Sequence, residues 1–153
     1  MDQPERSAVD PTAEQFVTRL SRYASGPVRR QLERYLAAQD DAARRAAAES
    51  RGPEHCGTEH CGSEHCGSEH RKLLGVPIRQ VFAVGREFVE LPVAELERLL
   101  GRAEHEVRAG AVYVMSQQAR CGPSGRRRLR YELYLRRLDR IDNWDLVDLG
   151  RRT

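Results

Sequence analysis

Residues 78–100 read IRQVFAVGREFVELPVAELERLL, and this stretch decides the fold class. Its apolar residues recur three or four positions apart, which is the period of an α-helix with one buried face. The dipeptide Leu91-Pro92 interrupts the pattern, because proline breaks a helix interior but suits the first turn of a new helix. The stretch therefore predicts two consecutive helices, the second ending at Gly101, and Gly85 marks a place where a neighbouring element can approach closely.

The same helical period runs through the rest of the chain, and no segment alternates with period two. We therefore expect an all-α protein. Five further helices are predicted, over residues 12–24, from Val28 into an alanine-rich stretch, over residues 104–119, over residues 124–140 and from Trp144. Short connections between helices of this length indicate either a HEAT-like array of stacked helix pairs or a small bundle.

Three further predictions concern the alanine-rich stretch, the start of the last helix and the buried face of the helix over residues 124–140. The alanine-rich stretch that ends at Ala48 offers little bulk, so it is expected to fray or to protrude beyond the core. Asp142 or Asn143 is expected to cap the last helix. In the helix over residues 124–140, the residues expected inside are Leu129, Leu133, Tyr134, Leu138 and Ile141.

Residues 54–70 form a low-complexity repeat, EHCGTEHCGSEHCGSEH. Cysteine and histidine can ligate zinc or copper, but one Cys-His pair every five residues matches none of the usual zinc spacings. Near-perfect copies with glycine in every unit favour a tolerated surface loop. We therefore predict N-terminal helices over residues 1–50, a disordered repeat loop over residues 51–71 and a helical-repeat region over residues 72–153, with no metal ligand and no cofactor.

Two isolated residues with possible metal or redox chemistry are expected to have no such role. His105 is predicted on a helix surface and Cys121 in a loop. Neither residue has a second ligand at a spacing that a metal site requires.

Composition limits the protein class and its partners. Hydrophobic residues make up 39% of 153 residues and charged residues 32%, which predicts one domain with a modest core. No apolar stretch approaches the roughly 20 residues of a membrane helix, and residues 1–15 are polar and acidic, so we expect a cytoplasmic protein without membrane contact. Residues 124–153 hold nine arginines and five carboxylates. Such a basic end either attracts phosphates or is a solvated helix face.

The last predicted helix carries the residues with the most chemistry. Trp144 and Asp148 lie four positions apart and therefore share one helix face, which Arg151 extends. The same spacing also fits a purely structural arrangement. In that arrangement Trp144 packs in the core, Asp145 interacts favourably with the positive N-terminal end of the helix dipole, and Asp148 is exposed.

Three segments carry a resemblance to a known family. They are RRLRYELYLRRLDRIDNWDLVDL (residues 127–149), LLGVPIRQVFAVGREF (residues 73–88) and LPVAELERLLGRAEHEVRAGAV (residues 91–112). Together they resemble the DNA alkylation repair family, in which an Asn-Trp-Asp-Leu-Val-Asp motif follows helices of this kind in the same order. The resemblance covers residues 72–149, with weaker similarity over residues 12–40.

The resemblance implies a fold, an activity and a set of site residues. The fold is an α-α superhelix of HEAT-like repeats. The activity is that of a monofunctional DNA glycosylase, a hydrolase that removes N3- or N7-alkylated purines from duplex DNA. Asp148 would stabilise the oxocarbenium-like sugar and position water, and Trp144 would pack against the deoxyribose. The implied contacts with the DNA backbone are Arg126, Arg127, Arg130, Arg137 and Arg151.

One departure from the family pattern leads to a further expectation. Family members continue for several helices beyond the motif, whereas this sequence ends at Thr153. We therefore expect an incomplete helical array with weak or absent glycosylase activity. The alternatives are a non-catalytic helical-repeat module that binds nucleic acid or protein and, less favoured, a metal-binding protein that uses the repeat of residues 54–70.

Overall fold

The protein is described here from a computed structural model, which covers residues 10–49, 72–121, 124–142 and 144–151. The side chains of Ser124, Trp144 and Arg151 lie outside this description, as does the whole repeat of residues 54–70. Within the described ranges the chain is helical and contains no β-strand, which confirms the all-α prediction. The elements are α1 (Ala13–Ser21), α2 (Gly26–Glu49), α3 (Ile78–Glu87), α4 (Val93–Leu100), α5 (His105–Cys121), α6 (Ser124–Arg136), a 3-10 turn (Leu138–Arg140) and α7 (Trp144–Arg151).

Local signals in the sequence account for most helix ends. Thr12 and Gln15 form a capping box at the start of α1, in which each side chain bonds the backbone N–H of the other residue. Pro77 and Pro92 immediately precede α3 and α4, and Gly101 is the C-cap of α4. The predicted break at Leu91-Pro92 is therefore confirmed. None of the helices in the described ranges is long and apolar enough to cross a membrane.

Helix α5 is central to the packing. It packs against α3, α4, α6 and α7, while α1 packs against α3 and α4, and α4 packs against α6. Helix α5 is therefore buried along almost its whole length. The close approach predicted at Gly85 is confirmed, because a Cβ there would lie 2.5 Å from Cδ1 of Tyr113.

The segment before α3 is fixed by a buried carboxylate on α5. Glu106 accepts hydrogen bonds from the backbone N–H groups of Leu74 (3.1 Å), Gly75 (2.7 Å) and Val76 (3.2 Å). Gly75 has a φ of +82°, and its carbonyl accepts from the N–H of Ser25 at 2.9 Å. The loop between α1 and α2 is thereby joined to the segment that leads into α3.

A second polar contact of α5 fixes the approach to α7. Arg108 is buried, donates to the carbonyl of Arg140 at 3.0 Å and forms an ion pair with Asp142 at 3.4 Å. Helix α7 then begins at Trp144, as predicted. The two polar residues of α5, Glu106 and Arg108, therefore orient the chain segments that enter α3 and α7.

Helix α2 extends beyond the core, as its alanine-rich composition predicted. It has 24 residues, but Leu36 is its only described residue that is fully buried. Among the described residues, its side-chain hydrogen bonds to another helix come from Tyr35 and Gln39. Most of helix α2 therefore lies outside the core.

The predicted inner face of the sixth helix is partly wrong. Leu133 and Ile141 are buried and Tyr134 is half-buried, but Leu129 is 51% exposed and Leu138 is 49% exposed. Helix α6 ends at Arg136, and the 3-10 turn that follows rotates Leu138 away from the core. No described helix covers the surface at Leu129.

The positive φ of Gly75 gives a stability prediction. We expect Gly75→Ala to lower the free energy of unfolding by about 2 to 4 kcal/mol, because the new Cβ would be strained and crowded. It would lie 2.3 Å from the Ser25 carbonyl oxygen and 2.8 Å from the Cβ of Arg29. Urea denaturation followed by circular dichroism measures this loss.

The control for this measurement is Gly125→Ala, because no atom lies within 4 Å of a Cβ built there. This change in α6 should leave the stability unchanged or raise it by up to about 1 kcal/mol, since alanine favours a helix over glycine. Equal stabilities of the two variants would show that the Gly75 turn is not required.

Candidate functional site

An acidic cleft of about 440 Å³ lies between α2, α3, α5 and α7. Its walls combine apolar side chains with Tyr35 of α2, the aromatic ring of Phe82 of α3, and Asp145 and Asp148 of α7. Its other lining residues belong to the same four helices and to the segment that leads into α3. The cleft therefore brings together helices that are distant in the sequence.

Helix α7 presents both of its aspartates to this cleft. Asp145 is half-buried, whereas Asp148, one turn later, is exposed at the cleft. The side chain of Asp148 has no hydrogen bond or ion pair with another side chain in the described part of the chain. The backbone of Trp144 is one turn before Asp148, so the predicted spacing on one helix is confirmed.

A hydrogen-bonded network connects α2 with α7. The hydroxyl of Tyr35 donates to Oδ1 of Asp145 at 3.1 Å, and Nε2 of Gln39 donates to the same oxygen at 3.2 Å. Nε2 of Gln39 also lies 2.7 Å from the Tyr35 hydroxyl, which accepts from it. Asp145 is therefore occupied by residues of α2, which leaves Asp148 as the carboxylate of α7 available to a ligand.

The cleft is electrostatically negative. Glu106, Asp145 and Asp148 line it, and no arginine or lysine does so among the described residues. The pKa of Tyr35 is raised by partial burial, by its hydrogen bond to Asp145 and by the negative charges of Asp145 and Asp148. A cation with a flat apolar face suits such a cleft, because carboxylates and aromatic faces both attract positive charge.

His105 differs from its prediction. It was expected on a helix surface, but it is only 5% exposed and lines the cleft beside Glu106. The reason is that α5 begins against Lys72, whose carbonyl accepts from the His105 N–H at 2.9 Å. Cys121 is exposed and is the last residue of α5 rather than a loop residue.

The arginines predicted to contact DNA do not line the acidic cleft. Arg127 donates to the carbonyl of Ala119 at 3.2 Å, and Arg130 is buried with Nε bonded to Gln118. Arg137 forms ion pairs with Glu97 at 3.8 Å and with Asp139 at 3.9 Å. These three guanidinium groups are therefore engaged by the protein itself.

Two of the predicted arginines differ from this group. Arg126 is exposed, with Glu90 3.6 Å away. Arg151 is the last residue of α7, three positions after Asp148, and its side chain lies outside the described residues.

Sequence reasoning missed the contribution of α2 to the site. It assigned Tyr35 to the apolar stripe of the second helix, and it gave Gln39 and Asp145 no binding role. A weak signal was present, because Tyr35 and Gln39 lie four positions apart and form a polar pair on one helix face. Their partner, Asp145, is too distant in sequence for a periodic pattern to reveal.

The metal-binding alternative has no counterpart among the described residues. No group of three or more histidine, cysteine, aspartate or glutamate side chains is arranged there to hold a metal ion. The histidines and cysteines of the repeat, on which that alternative depends, lie outside the described ranges.

Comparison with known families gives one finding. A family model described as DNA alkylation repair enzyme matches residues 32–150. No curated protein and no solved structure matches the chain. The matched span includes every residue that lines the acidic cleft.

The Tyr35–Asp145 contact gives a titration prediction. We expect Asp145→Asn to lower the pKa of Tyr35, because the carboxylate accepts a hydrogen bond from the Tyr35 hydroxyl and its negative charge opposes formation of the phenolate. NMR of protein labelled with ¹³C at tyrosine Cζ, followed from neutral to high pH, measures this shift. The Tyr35→Phe variant identifies the signal.

The matched control is Asp139→Asn, which removes an exposed carboxylate that is paired with Arg137 and is not at the cleft. The pKa of Tyr35 should not change in that variant. An unchanged pKa of Tyr35 in Asp145→Asn would show that the network between α2 and α7 does not form in solution.

Proposed function

Because the chain belongs to the DNA alkylation repair enzyme family, we propose that it is a monofunctional DNA glycosylase that acts on N3- or N7-alkylated purines in duplex DNA. The observation that carries this proposal is the negative cleft at which α7 presents Asp148 beside Tyr35. An alkylated purine is a flat cation, so its charge and shape both match the cleft.

The chemistry requires stabilisation of positive charge on the sugar. When the N-glycosidic bond breaks, its electron pair moves to the purine nitrogen, which neutralises the cationic base. The sugar carbon then carries oxocarbenium character until the oxygen of a water molecule adds to it and releases a proton. Asp148 supplies a negative charge opposite that carbon and accepts a hydrogen bond from the water, in the manner of a fixed electrostatic stabiliser.

The geometry supports Asp148 rather than Asp145 in this role. Asp145 already accepts from Tyr35 and Gln39, whereas Asp148 is exposed. An exposed carboxylate reaches the sugar of a nucleotide in a duplex without a deep pocket. We assign Trp144 to the deoxyribose, because its place on α7 is one turn before Asp148.

We propose Arg126 and Arg151 for contacts with the DNA backbone, because Arg126 is exposed and Arg151 follows Asp148 on α7 by three positions. Arg127 and Arg137 are weaker candidates, since each has a partner within the chain. Arg130 is also weaker, because it is buried and its Nε bonds Gln118. Phosphate contacts of this kind are independent of sequence and weaken as salt is added.

We also propose that the array is HEAT-like. In such an array each helix packs against the helix two places along the chain, and the resulting layers curve around a concave face. The packing of α3 on α5, of α5 on α7 and of α4 on α6 supports this arrangement. The acidic cleft then lies on the face formed by α3, α5 and α7, where a duplex would bind.

The alternative is a non-catalytic module that binds nucleic acid or protein. The observation that favours it is the exposed apolar and basic surface of α6, which is separate from the acidic cleft. The glycosylase and a nucleic-acid-binding module both predict salt-dependent DNA binding, whereas a protein-binding module predicts none, and only the glycosylase releases a base.

Replacement of the exposed aspartate tests the proposed activity. We expect Asp148→Asn to slow the release of 7-methylguanine from a methylated duplex by about 100- to 1,000-fold, as the loss of one electrostatic stabiliser typically does. Chromatography of the released base over time measures the rate. The matched variant Asp139→Asn should retain the rate of the original chain.

Two results would contradict this proposal. The first is release at an unchanged rate by Asp148→Asn, which would contradict the role of Asp148 in the reaction. The second is no release by the original chain, in which case equal salt-dependent binding to damaged and undamaged duplex would support the non-catalytic module.

A further inference from the structure

A second and larger cleft of about 820 Å³ lies between α5, α6 and the end of α7, and we call it the α6 groove. Its floor is apolar and is formed by Val112, Met115 and Ala119 of α5 with Tyr134 of α6. Gly150 of α7 packs against the ring of Tyr134 at one side of the groove. None of the residues that line the α6 groove also lines the acidic cleft.

The walls of the α6 groove are strongly basic. Four guanidinium groups line it, and no carboxylate does so within the described part of the chain. These groups belong to Arg120, Arg127, Arg128 and Arg130. An apolar floor between several cations is complementary to a ligand that has an apolar face and negative flanks.

Arg130 has an unsatisfied donor in this groove. The residue is 7% exposed, and although its Nε bonds Gln118, its Nη1 is buried and has no hydrogen-bond partner among the described residues. A buried charged donor without an acceptor is costly. Burial and the neighbouring charge of Arg126 also lower the pKa of Arg130. A carboxylate from outside the chain would supply the missing acceptor.

Exposed apolar residues continue the α6 groove along its own helix. Tyr131 is 63% exposed, Leu135 is 46% exposed, and Leu138 in the following turn is also exposed. Positions i and i+4 share one face of a helix, so Tyr131, which lines the groove, and Leu135 form a short apolar stripe on α6. Stripes of this kind are what a second helix packs against.

We propose that the α6 groove docks an amphipathic helix of a partner protein, with the apolar face of that helix on Tyr131, Tyr134 and Leu135 and its flanking carboxylates on Arg128 and Arg130. A helix fits better than a nucleic acid, because phosphates do not cover an apolar floor and bind exposed cations instead. This inference does not depend on the glycosylase activity, since no residue of the acidic cleft contributes to it.

Two synthetic helical peptides of about 20 residues test the proposal. Both carry leucine at the a and d positions, and the flanking positions are glutamate in one peptide and glutamine in the other. Fluorescence anisotropy with the full chain measures their affinities. We expect the glutamate peptide to bind at least about tenfold more tightly than the glutamine peptide, with a difference that decreases as salt is added.

Surface variants locate the binding site without disturbing the core. Tyr131→Glu and Arg128→Gln alter exposed side chains of the α6 groove, and each should weaken binding of the glutamate peptide by about tenfold or more. The matched control is Arg136→Gln on the same helix, because both arginines are exposed and ion-paired, Arg128 with Glu132 and Arg136 with Glu97, but Arg136 does not line the groove. Its affinity should equal that of the original chain.

Other results would overturn the proposal or assign the α6 groove to a different ligand. Equal affinities for the two peptides, or equal weakening by Arg128→Gln and Arg136→Gln, would overturn the proposal. Displacement of the glutamate peptide by undamaged duplex DNA would assign the groove to nucleic acid instead. A dimer in sedimentation that Tyr131→Glu converts to a monomer would assign it to a second copy of this chain.

Discussion

Three backbone N–H groups converge on the carboxylate of Glu106, and the positions of α2, α3 and α5 depend on that contact. A buried carboxylate is costly unless hydrogen bonds replace its water, and the consecutive N–H groups of Leu74, Gly75 and Val76 do so. Only a turn with a positive φ at Gly75 places these groups together while its carbonyl bonds Ser25. Glu106 therefore has two roles, because it holds the segment before α3 in place and also lines the acidic cleft.

Two surfaces of opposite charge lie along α5. Near its N-terminal end, beside His105 and Glu106, the cleft with Asp145 and Asp148 is negative, and hydrogen bonds of Tyr35 and Gln39 join α2 to α7 there. Toward its C-terminal end, the α6 groove is basic, and its arginines include the buried Arg130. The net charge of +3 does not reveal these two surfaces, because it adds their opposite charges together. A cation and an acidic helix can thus bind the same small protein at different places.

Local patterns predicted most of the helices because helix ends depend on nearby residues. Leu91-Pro92 separated α3 from α4, and Gly85 identified the close approach of Tyr113. Periodicity also indicated that Trp144 and Asp148 lie one turn apart on a helix that begins at Trp144. These features require knowledge of only a few neighbouring positions.

Pairings between distant segments could not be predicted in this way. The hydrogen bond from Tyr35 to Asp145 joins residues that are 110 positions apart. The apolar pattern of α2 does not indicate which residues of α7 lie beside it. The burial of His105 depends on Lys72 in the same manner. Leu129 and Leu138 have the spacing of core residues, yet their exposure is set by which helices cover α6. The arginines of α6 likewise could be counted from the sequence, but their partners could not.

The central claim is that the acidic cleft between α2 and α7 receives the alkylated nucleotide. The most direct test is an NMR titration of the Asp148→Asn protein, in which turnover is suppressed, with a duplex that carries one N7-methylguanine. An undamaged duplex of the same sequence serves as the reference. We predict that the damaged duplex selectively shifts the amide signals of residues 32–39 and 145–149. Identical shifts with both duplexes, or the largest shifts along α6, would contradict the claim.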